Sequence, residues 1–520
     1  MLPARATSLI RLPAAVVLLC AVLLGGCALP SLEGREDSVA LSAQEARATA
    51  LGKAIAPHAD AHPGLSGIHP LADPHDAFAA RMLLARAAER TLDVQYYIWR
   101  PDMTGTLLME ALHEAADRGV RVRLLMDDNG TAGLDGMLAA LDTHPLIEVR
   151  LFNPFVLRWP KALGYLTDFA RLNRRMHNKS FTADNQVTII GGRNIGDEYF
   201  GASEGVLFSD LDVLAVGKVV ADVSDDFDRY WRSGSSYPVS LILSPASLED
   251  LEALQASASV VERKPEASEY TSVLKQASFV RQLIRGELPL EWAMTRMVSD
   301  DPAKGLGQAP HEAMVPHQLD EMLGVPKRQV ELVSPYFVPT ASGTQVLVGM
   351  VGRGVRVRVL TNALEATDVA VVHSGYARRR VELLQGGVEL FELRSNQVTG
   401  KRPALGRLGS SGSSLHAKTF AVDRERLYVG SLNFDPRSAE LNTELGFVID
   451  SPRLARQITQ AFDRNVPEAA YSVHLDENGK LYWVAREDGR EVRYDTEPGT
   501  SWMQRATLRV LQWLPIEPML

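Results

Sequence analysis

The chain carries one chemical pattern twice. Residues 174–185, RRMHNKSFTADN, place His177, Lys179 and Asp184 at positions i, i+2 and i+7, and residues 415–423, LHAKTFAVD, place His416, Lys418 and Asp423 at the same spacing. The surroundings repeat as well. TLDVQYYIW (91–99) answers to QVELVSPYFV (329–338), GVRVRLLMDD (119–128) to GVRVRVLTNA (354–363), and VRLFN (149–153) to VELFE (388–392). FDR then recurs at 227–229 and 462–464. These apolar, β-branched segments read as buried strands separated by helix-compatible stretches, so the chain is expected to fold as two similar α/β halves. On an extended strand, side chains two apart point to the same face. An imidazole and an ammonium side by side suit a site that holds and attacks something anionic.

A chain of 520 residues that is 46% hydrophobic has enough apolar surface for two or more domains. Its formal net charge of -9 argues against a general nucleic-acid binder, which needs a broad basic surface. The only cysteines, Cys20 and Cys27, lie near the N-terminus, so the rest has neither a disulfide framework nor a cysteine metal site. Arg5 and Arg11 precede LPAAVVLLCAVLLGGC, an apolar run of signal-peptide length rather than membrane-spanning length. LLGGC resembles the lipobox of bacterial lipoproteins, which implies removal of residues 1–26 and acylation of Cys27. Ala28 rather than aspartate follows, so a membrane-anchored lipoprotein facing the periplasm, at the outer membrane, is the expected placement.

Residues 27–75 read as a lipid-anchored tether, and His58, His62, His69 and His75, set among Pro and Gly, as loop residues without metal. Residues 76–301 form the expected first domain, 302–312 a linker and 313–520 the second domain. Two or three C-terminal strands, AYSVHL, KLYWVARE and REVRY, precede a helix, TSWMQRATLRVLQWL, expected to pack on the core, with membrane contact as the alternative.

Downstream of His177 the chain reads TIIGGRNIGDEYF and then FSDLDVLAVG; downstream of His416 it reads YVGSLNFDPRSAELNTELGF. From about residue 76 to 470 it closely resembles the phospholipase D superfamily, whose paired HxKxxxxD motifs build one active site. LDVQYYIW, RGVRVRLLMDD, RRMHNKS, GGRNIGDEYF and HSGYARRRVELL are similar to the C-type branch of the bacterial cardiolipin synthases. The resemblance implies two α/β/α sandwich halves with mixed sheets and an active site at their pseudo-twofold interface. It also implies a phosphatidyltransferase that makes cardiolipin from phosphatidylglycerol and a second phospholipid, with phosphatidylethanolamine as the first choice. The implied partners are these lipids and a membrane surface, without nucleic acid. Lipid hydrolysis is the alternative, nucleic-acid phosphodiester cleavage a more distant one, and a non-catalytic lipid-binding scaffold is disfavoured by the two intact His–Lys pairs.

A phosphodiester is a poor electrophile, and a neutral imidazole splits its displacement into two easier steps through a phosphohistidine. By resemblance, His177 is the nucleophile, and His416 protonates the leaving alkoxide and then deprotonates the incoming hydroxyl. Lys179 and Lys418 neutralise the phosphate oxygens, and Asn194, Asn433 and Ser431 supply hydrogen bonds to them. Gly192 stands where Ser431 does in the second half. A carboxylate on the other imidazole nitrogen fixes the tautomer. Glu444 matches this role, and in the first half SDLDVLAV points to Asp212, with Asp210 as the alternative. Asp184 and Asp423 complete the catalytic motifs, with backbone as their expected partner. No cofactor or metal enters, because the lysines carry the positive charge. Two segments bear on specificity: 152–169, whose Phe155, Trp159 and Tyr165 beside Arg158 and Lys161 suit the level of lipid headgroups or else an ordinary packed loop, and the basic, Gly/Ser-rich 394–414, readable as a mobile flap or as a loop without function.

Overall fold

A computed structural model describes residues 29–201, 208–265, 267, 270, 282, 283, 285–367, 369–395, 414–487, 489–517 and 520. The first half contributes β1 (Ser66–Leu71), β2 (Thr91–Tyr96), β3 (Arg121–Asp127), β4 (Ile147–Phe152), β5 (Ser180–Ala183), β6 (Val187–Gly191), β7 (Phe208–Ser209), β8 (Asp212–Gly217) and β9 (Ser236–Pro238). The second contributes β10 (Glu291–Ser299), β11 (Gln329–Val333), β12 (Arg356–Asn362), β13 (Glu389–Leu393), β14 (Ser414–Leu415) and β15 (Thr419–Val422). It continues with β16 (Arg426–Gly430), β17 (Leu445–Asp450), β18 (Ala470–Leu475), β19 (Leu481–Glu487) and β20 (Arg490–Tyr494).

The pairings place the first half in the order β9-β4-β3-β2-β5-β6-β8-β1, with β2, β3 and β4 parallel and the remaining pairs antiparallel. The second half runs β10-β17-β16-β15-β11-β12-β13-β18-β19-β20, again with three central parallel strands. An antiparallel β1–β10 pairing joins the two sheets edge to edge, leaving one mixed sheet across the molecule.

The repeated sequence words have matching structural duties. Asp93 on β2 sits opposite Arg123 on β3 and pairs with it at 2.7 Å; Glu331 on β11 and Arg358 on β12 repeat this at 2.6 Å. The two FDR triplets complete each buried cluster. Asp228 and Asp463 ion-pair with the same arginines, while the Phe227 and Phe462 rings lie 4.8 and 5.1 Å from their guanidinium carbons. Each buried charge thus has a partner, the condition under which an interior tolerates ions. A third apolar cluster, including Ile68, Ile190, Val213, Leu427, Phe447 and Ile449, draws on both halves and glues them together.

Two expected boundaries move. The span 27–75 is not a free tether over its described part. β1 is the edge strand on which β8 and β10 pair, and residues 35–41 are pinned to the first half. Arg150 binds Asp37 at 2.7 Å, and Arg123 donates to the Ser38 carbonyl at 2.8 Å. His62 stacks on Trp292 with centroids 4.3 Å apart. The segment 302–312 is likewise no loose linker: Lys304 is fully buried, donating to Asp300 and to the Ser438 carbonyl. Each half begins with its own interface strand, β1 or β10, which is why cuts at 76 and 302 fall too late. The signal segment and Cys27 lie outside the described residues, as does most of the 394–414 flap.

The three C-terminal strands form as expected. The helix Trp502–Leu511 departs from expectation: Leu508 is its buried residue, while Trp502, Met503 and Val510 face outward. Among the described residues no helix is long and apolar enough to cross a membrane.

Candidate active site

Both histidine motifs sit in the residues leading into a central strand, β5 or β15, and each is docked against the opposite half. His177 donates its backbone N–H to the Thr443 carbonyl at 2.8 Å, and Thr443 donates back to the Arg175 carbonyl at 2.9 Å. In mirror fashion, β14, just before His416, pairs in parallel with β7, just before Asp210. These two short pairings across the interface put each histidine beside the other half's acid.

The acids cross over. Glu444 of the second half places Oε2 2.8 Å from Nδ1 of His177, and Asp210 of the first half places Oδ2 2.6 Å from Nδ1 of His416. The choice of Asp212 is therefore corrected to Asp210. Asp212 is fully buried but faces away, held by Arg81 at 2.8 Å and by the Arg193 backbone N–H at 3.2 Å. Strand register explains the outcome. Gly191 pairs with Asp212 and Gly430 with Gly446, so the residues two earlier, Asp210 and Glu444, are equivalent. The shared acid–Leu dipeptide, Asp210-Leu211 and Glu444-Leu445, was the sequence signal for this match.

Ser431 is also reassigned. Its hydroxyl donates to Glu444 Oε2 and accepts the Leu445 N–H at 3.0 Å, so it positions the carboxylate rather than a phosphate oxygen. At Gly192, the first-half counterpart, a Cβ would come within 2.2 Å of Asp210 Oδ1. The short acid thus sits with glycine, and the long acid with serine.

Lys179 and Lys418 each donate to the carbonyl of their own histidine, the former at 2.5 Å. Asn194 accepts the Ile98 N–H at 3.2 Å and lies 3.3 Å from the Tyr199 hydroxyl; Asn433 is buried, and its side-chain oxygen has no hydrogen-bond partner among the described residues. Asp184 accepts three backbone N–H groups, from Glu89, Arg90 and Thr91, and Asp423 accepts those of Lys327, Arg328 and Gln329. These two motif aspartates tie the turn after β5 or β15 to the start of β2 or β11. Both adopt positive φ, +50° and +57°, where Asp is better tolerated than most residues.

Two tyrosines not assigned a role from sequence pack on the histidines. Tyr97 meets His177 edge-on at 4.9 Å, and Tyr199 meets His416 at 5.4 Å. Each lies in a quoted strand or turn, but nothing in the spacing singles it out. In segment 152–169 the cations are committed. Arg158 binds Asp135 at 2.9 Å and Asp128 at 3.0 Å, and Lys161 binds Asp128 at 2.9 Å. Phe155 is buried beneath Tyr165, whereas Trp159 is 86% exposed.

Burial shapes the charges. Burial, then Lys179 and Lys418, hold the His177 imidazole well below its usual range, so it is neutral. Burial and Lys418 push His416 down to about 4 against the pull of Asp210. Burial and the neighbouring Lys418 bring Lys179 down to about 7. Burial lifts Glu444 to about 7, although Lys179 and Ser431 oppose it. Asp210 is also raised by burial, but His416 and Lys418 outweigh that and hold it well below the carboxylate range. Each motif's lysine acts on the other motif's histidine, the electrical signature of one shared site. With Nδ1 facing a carboxylate, Nε2 is the nitrogen left for chemistry. Among the described residues no group of three or more His, Cys, Asp or Glu side chains is arranged to hold a metal ion.

Known proteins resemble this chain. The family described as "Cardiolipin synthase, PLD-like domain" matches residues 82–231 and 319–466, one copy per half. Cardiolipin synthase C of Escherichia coli strain K12 is 50% identical over 468 residues, covering 90% of this chain and 99% of that protein. Cardiolipin synthase A of Pseudomonas syringae is 26% identical over 373 residues, 71% of this chain and 62% of the relative. The crystal structure of a phosphatidylserine synthase from Haemophilus influenzae superposes with a TM-score of 0.56 at 12% identity, over 89% of this chain and 99% of the other, a likeness of fold. The chain belongs to the cardiolipin synthase family of phospholipase D-like proteins.

Proposed function

We propose that the protein is a phosphatidyltransferase that makes cardiolipin from phosphatidylglycerol and a second phospholipid, phosphatidylethanolamine being the preferred donor. The observation that carries this reading is the pair of crossed His–carboxylate contacts, 2.8 and 2.6 Å, with both lysines in the same site. His177 Nε2 attacks the donor phosphorus, and Glu444 stabilises the imidazolium that forms. His416 gives its proton to the departing ethanolamine oxygen, leaving a phosphatidyl-His177. The terminal hydroxyl of phosphatidylglycerol, deprotonated by His416, then displaces His177. The products are cardiolipin and ethanolamine, and every proton returns to its origin. Lys179 and Lys418 face the non-bridging oxygens, with Asn194 and Asn433 beside them.

His416 lies low in the empty site, so the proton for the first step is acquired with the substrate: an anionic diester raises the affinity of a nearby imidazole for a proton. Acylated Cys27 anchors the chain, with the catalytic halves facing the periplasm at the outer membrane. Hydrolysis needs only water in place of the alcohol. Product analysis separates the readings. Purified protein with labelled phosphatidylethanolamine and phosphatidylglycerol should yield labelled cardiolipin and free ethanolamine; phosphatidic acid as the dominant product would make it a hydrolase.

A further inference from the structure

The four exposed Trp and Phe side chains among the described residues fall in just two segments. Trp159 and Phe169 belong to residues 157–169, together with Leu157, Leu163 and Leu166; Trp502 and Trp513 belong to residues 502–514, together with Met503, Val510 and Leu514. The segments are remote in sequence, yet both run to Arg437. Its guanidinium donates to the Asn173 carbonyl at 3.0 Å, and its backbone N–H donates to the Leu520 carbonyl at 2.8 Å. Arg437 follows Asn433 by four residues, and its charge is felt at Tyr97, the ring that lies against His177. Residues shortly after each apolar strip, Asn173 and Leu520, are therefore held by one arginine on the helix that follows Asn433.

The charge around them is distinctive. The chain as a whole carries -9, but residues 500–515 contain Arg505 and Arg509 and no acid. Arg174, Arg437 and Arg505 spend their hydrogen bonds on backbone carbonyls, side-chain amides and a hydroxyl rather than on carboxylates. Tryptophan is enriched at headgroup depth, where one end of the ring is dry and the other wet. Arg437 and Arg505 feel Asp435 and Glu497 but form no direct ion pair with them, and arginines left in that state complement an anionic surface. A protein partner would meet the same apolar side chains, but the acid-free basic stretch 500–515 and the phosphodiester chemistry of the site favour lipid.

We infer that residues 157–169 and 502–514 form one docking surface for an anionic phospholipid bilayer, holding the histidines over the headgroups. This rests on the transferase reading for its lipid, and is separable from it in test. Trp159 and Trp513, 86% and 88% exposed, are the probes, since neither touches a catalytic side chain. The full chain is bound to vesicles of phosphatidylglycerol and phosphatidylethanolamine with brominated acyl chains. Bromine should quench part of the tryptophan fluorescence, and Trp159→Phe with Trp513→Phe should lower the quenched fraction, leaving the share from Trp502. An unchanged quenched fraction in the double variant overturns the proposal.

The paired Trp159→Ala and Trp513→Ala variant should turn over vesicle lipids about tenfold more slowly, the loss of about 1.4 kcal/mol of docking. It should process short-chain lipids below their micellar concentration within about twofold of the parent, because chemistry does not depend on docking. An equal fall on both substrates assigns the tryptophans to folding or catalysis and overturns the proposal. So does a lipid-free dimer that the same variant dissociates, which would make the face a contact between copies. If no preparation makes cardiolipin while the quenching pattern holds, the transferase reading fails and the docking surface stands.

Discussion

Asp210 reaches His416 through space that Gly192 leaves empty: the carboxylate is 2.6 Å from Nδ1 of the ring, and a Cβ on Gly192 would lie 2.2 Å from its Oδ1. Gly192→Ala must therefore displace the acid. Turnover should fall with this variant as it does with Asp210→Asn, on the order of 10³-fold, since the tautomer and the imidazolium lose their support. Circular dichroism should stay unchanged for both. Asp212→Asn is expected to behave differently. It strips a partner from buried Arg81, so the loss is of folded protein, on the order of 3–5 kcal/mol, as for a broken buried ion pair. Wild-type turnover in Gly192→Ala would contradict the geometry.

The motif aspartates should separate from the motif histidines and lysines. Asp184→Ala leaves three buried or half-buried backbone N–H groups without their acceptor, whereas Asp423→Ala orphans one half-buried N–H, that of Gln329, and two exposed ones. Each buried donor so orphaned costs about 1–3 kcal/mol, so the melting temperature should drop by several degrees for Asp184→Ala and by less for Asp423→Ala, whose exposed donors turn to water. Turnover per folded molecule should remain within a few-fold of the parent. A folded Asp184→Ala protein without activity would move this residue into the chemistry.

Activity should fall on the alkaline side for a calculable reason. Lys179 lies at about 7 in the empty site, pushed down first by burial and then by Lys418. As pH rises through that value the lysine loses its charge and the phosphate its counter-ion, so the decline in kcat/KM that His416 starts above about 4 should steepen near 7. Bound diester is anionic and favours the charged lysine and imidazolium, so the limb of kcat should lie at higher pH. Steady-state profiles on short-chain lipid check this. A kcat limb at lower pH than that of kcat/KM would have the wrong sign.

Anchoring should depend on one sulfur. Cys27→Ser should release the protein from a stable membrane pool, because several acyl chains hold where surface contacts bind reversibly. Fractionation after a high-salt wash measures it, and unchanged retention would remove the lipoprotein reading.

Much of this architecture was readable in the chain, because the repeat exposes its own constraints. The paired words GVRVR and FDR marked the buried clusters around Arg123 and Arg358, though only the register of β2 with β3 and of β11 with β12 reveals why they recur. Glu444 was legible because it lies eleven residues after Asn433 in an unbroken motif. Asp210 was not, since it lies sixteen residues after Asn194 and counting along the chain loses register across the excess. β1 escaped notice because SGIHPL carries a Gly and a Pro, residues that weaken a strand signal, while its pairing across the halves is long-range. The crossing of acids between halves is likewise a tertiary fact that no local pattern encodes. The exposed face of the Trp502–Leu511 helix misled for a related reason: an apolar stripe announces burial without saying in what.

The division of labour between the two histidines is the central claim, and a substrate with a good leaving group tests it most directly. A nitrophenolate departs without a proton, so His416→Ala should still form the covalent adduct on His177 and then stall, giving a burst of one equivalent. His177→Ala should give neither burst nor adduct. Intact-mass analysis after acid-free quenching reads both. An adduct on the His177→Ala protein, with none on His416→Ala, would contradict the account by making His416 the nucleophile.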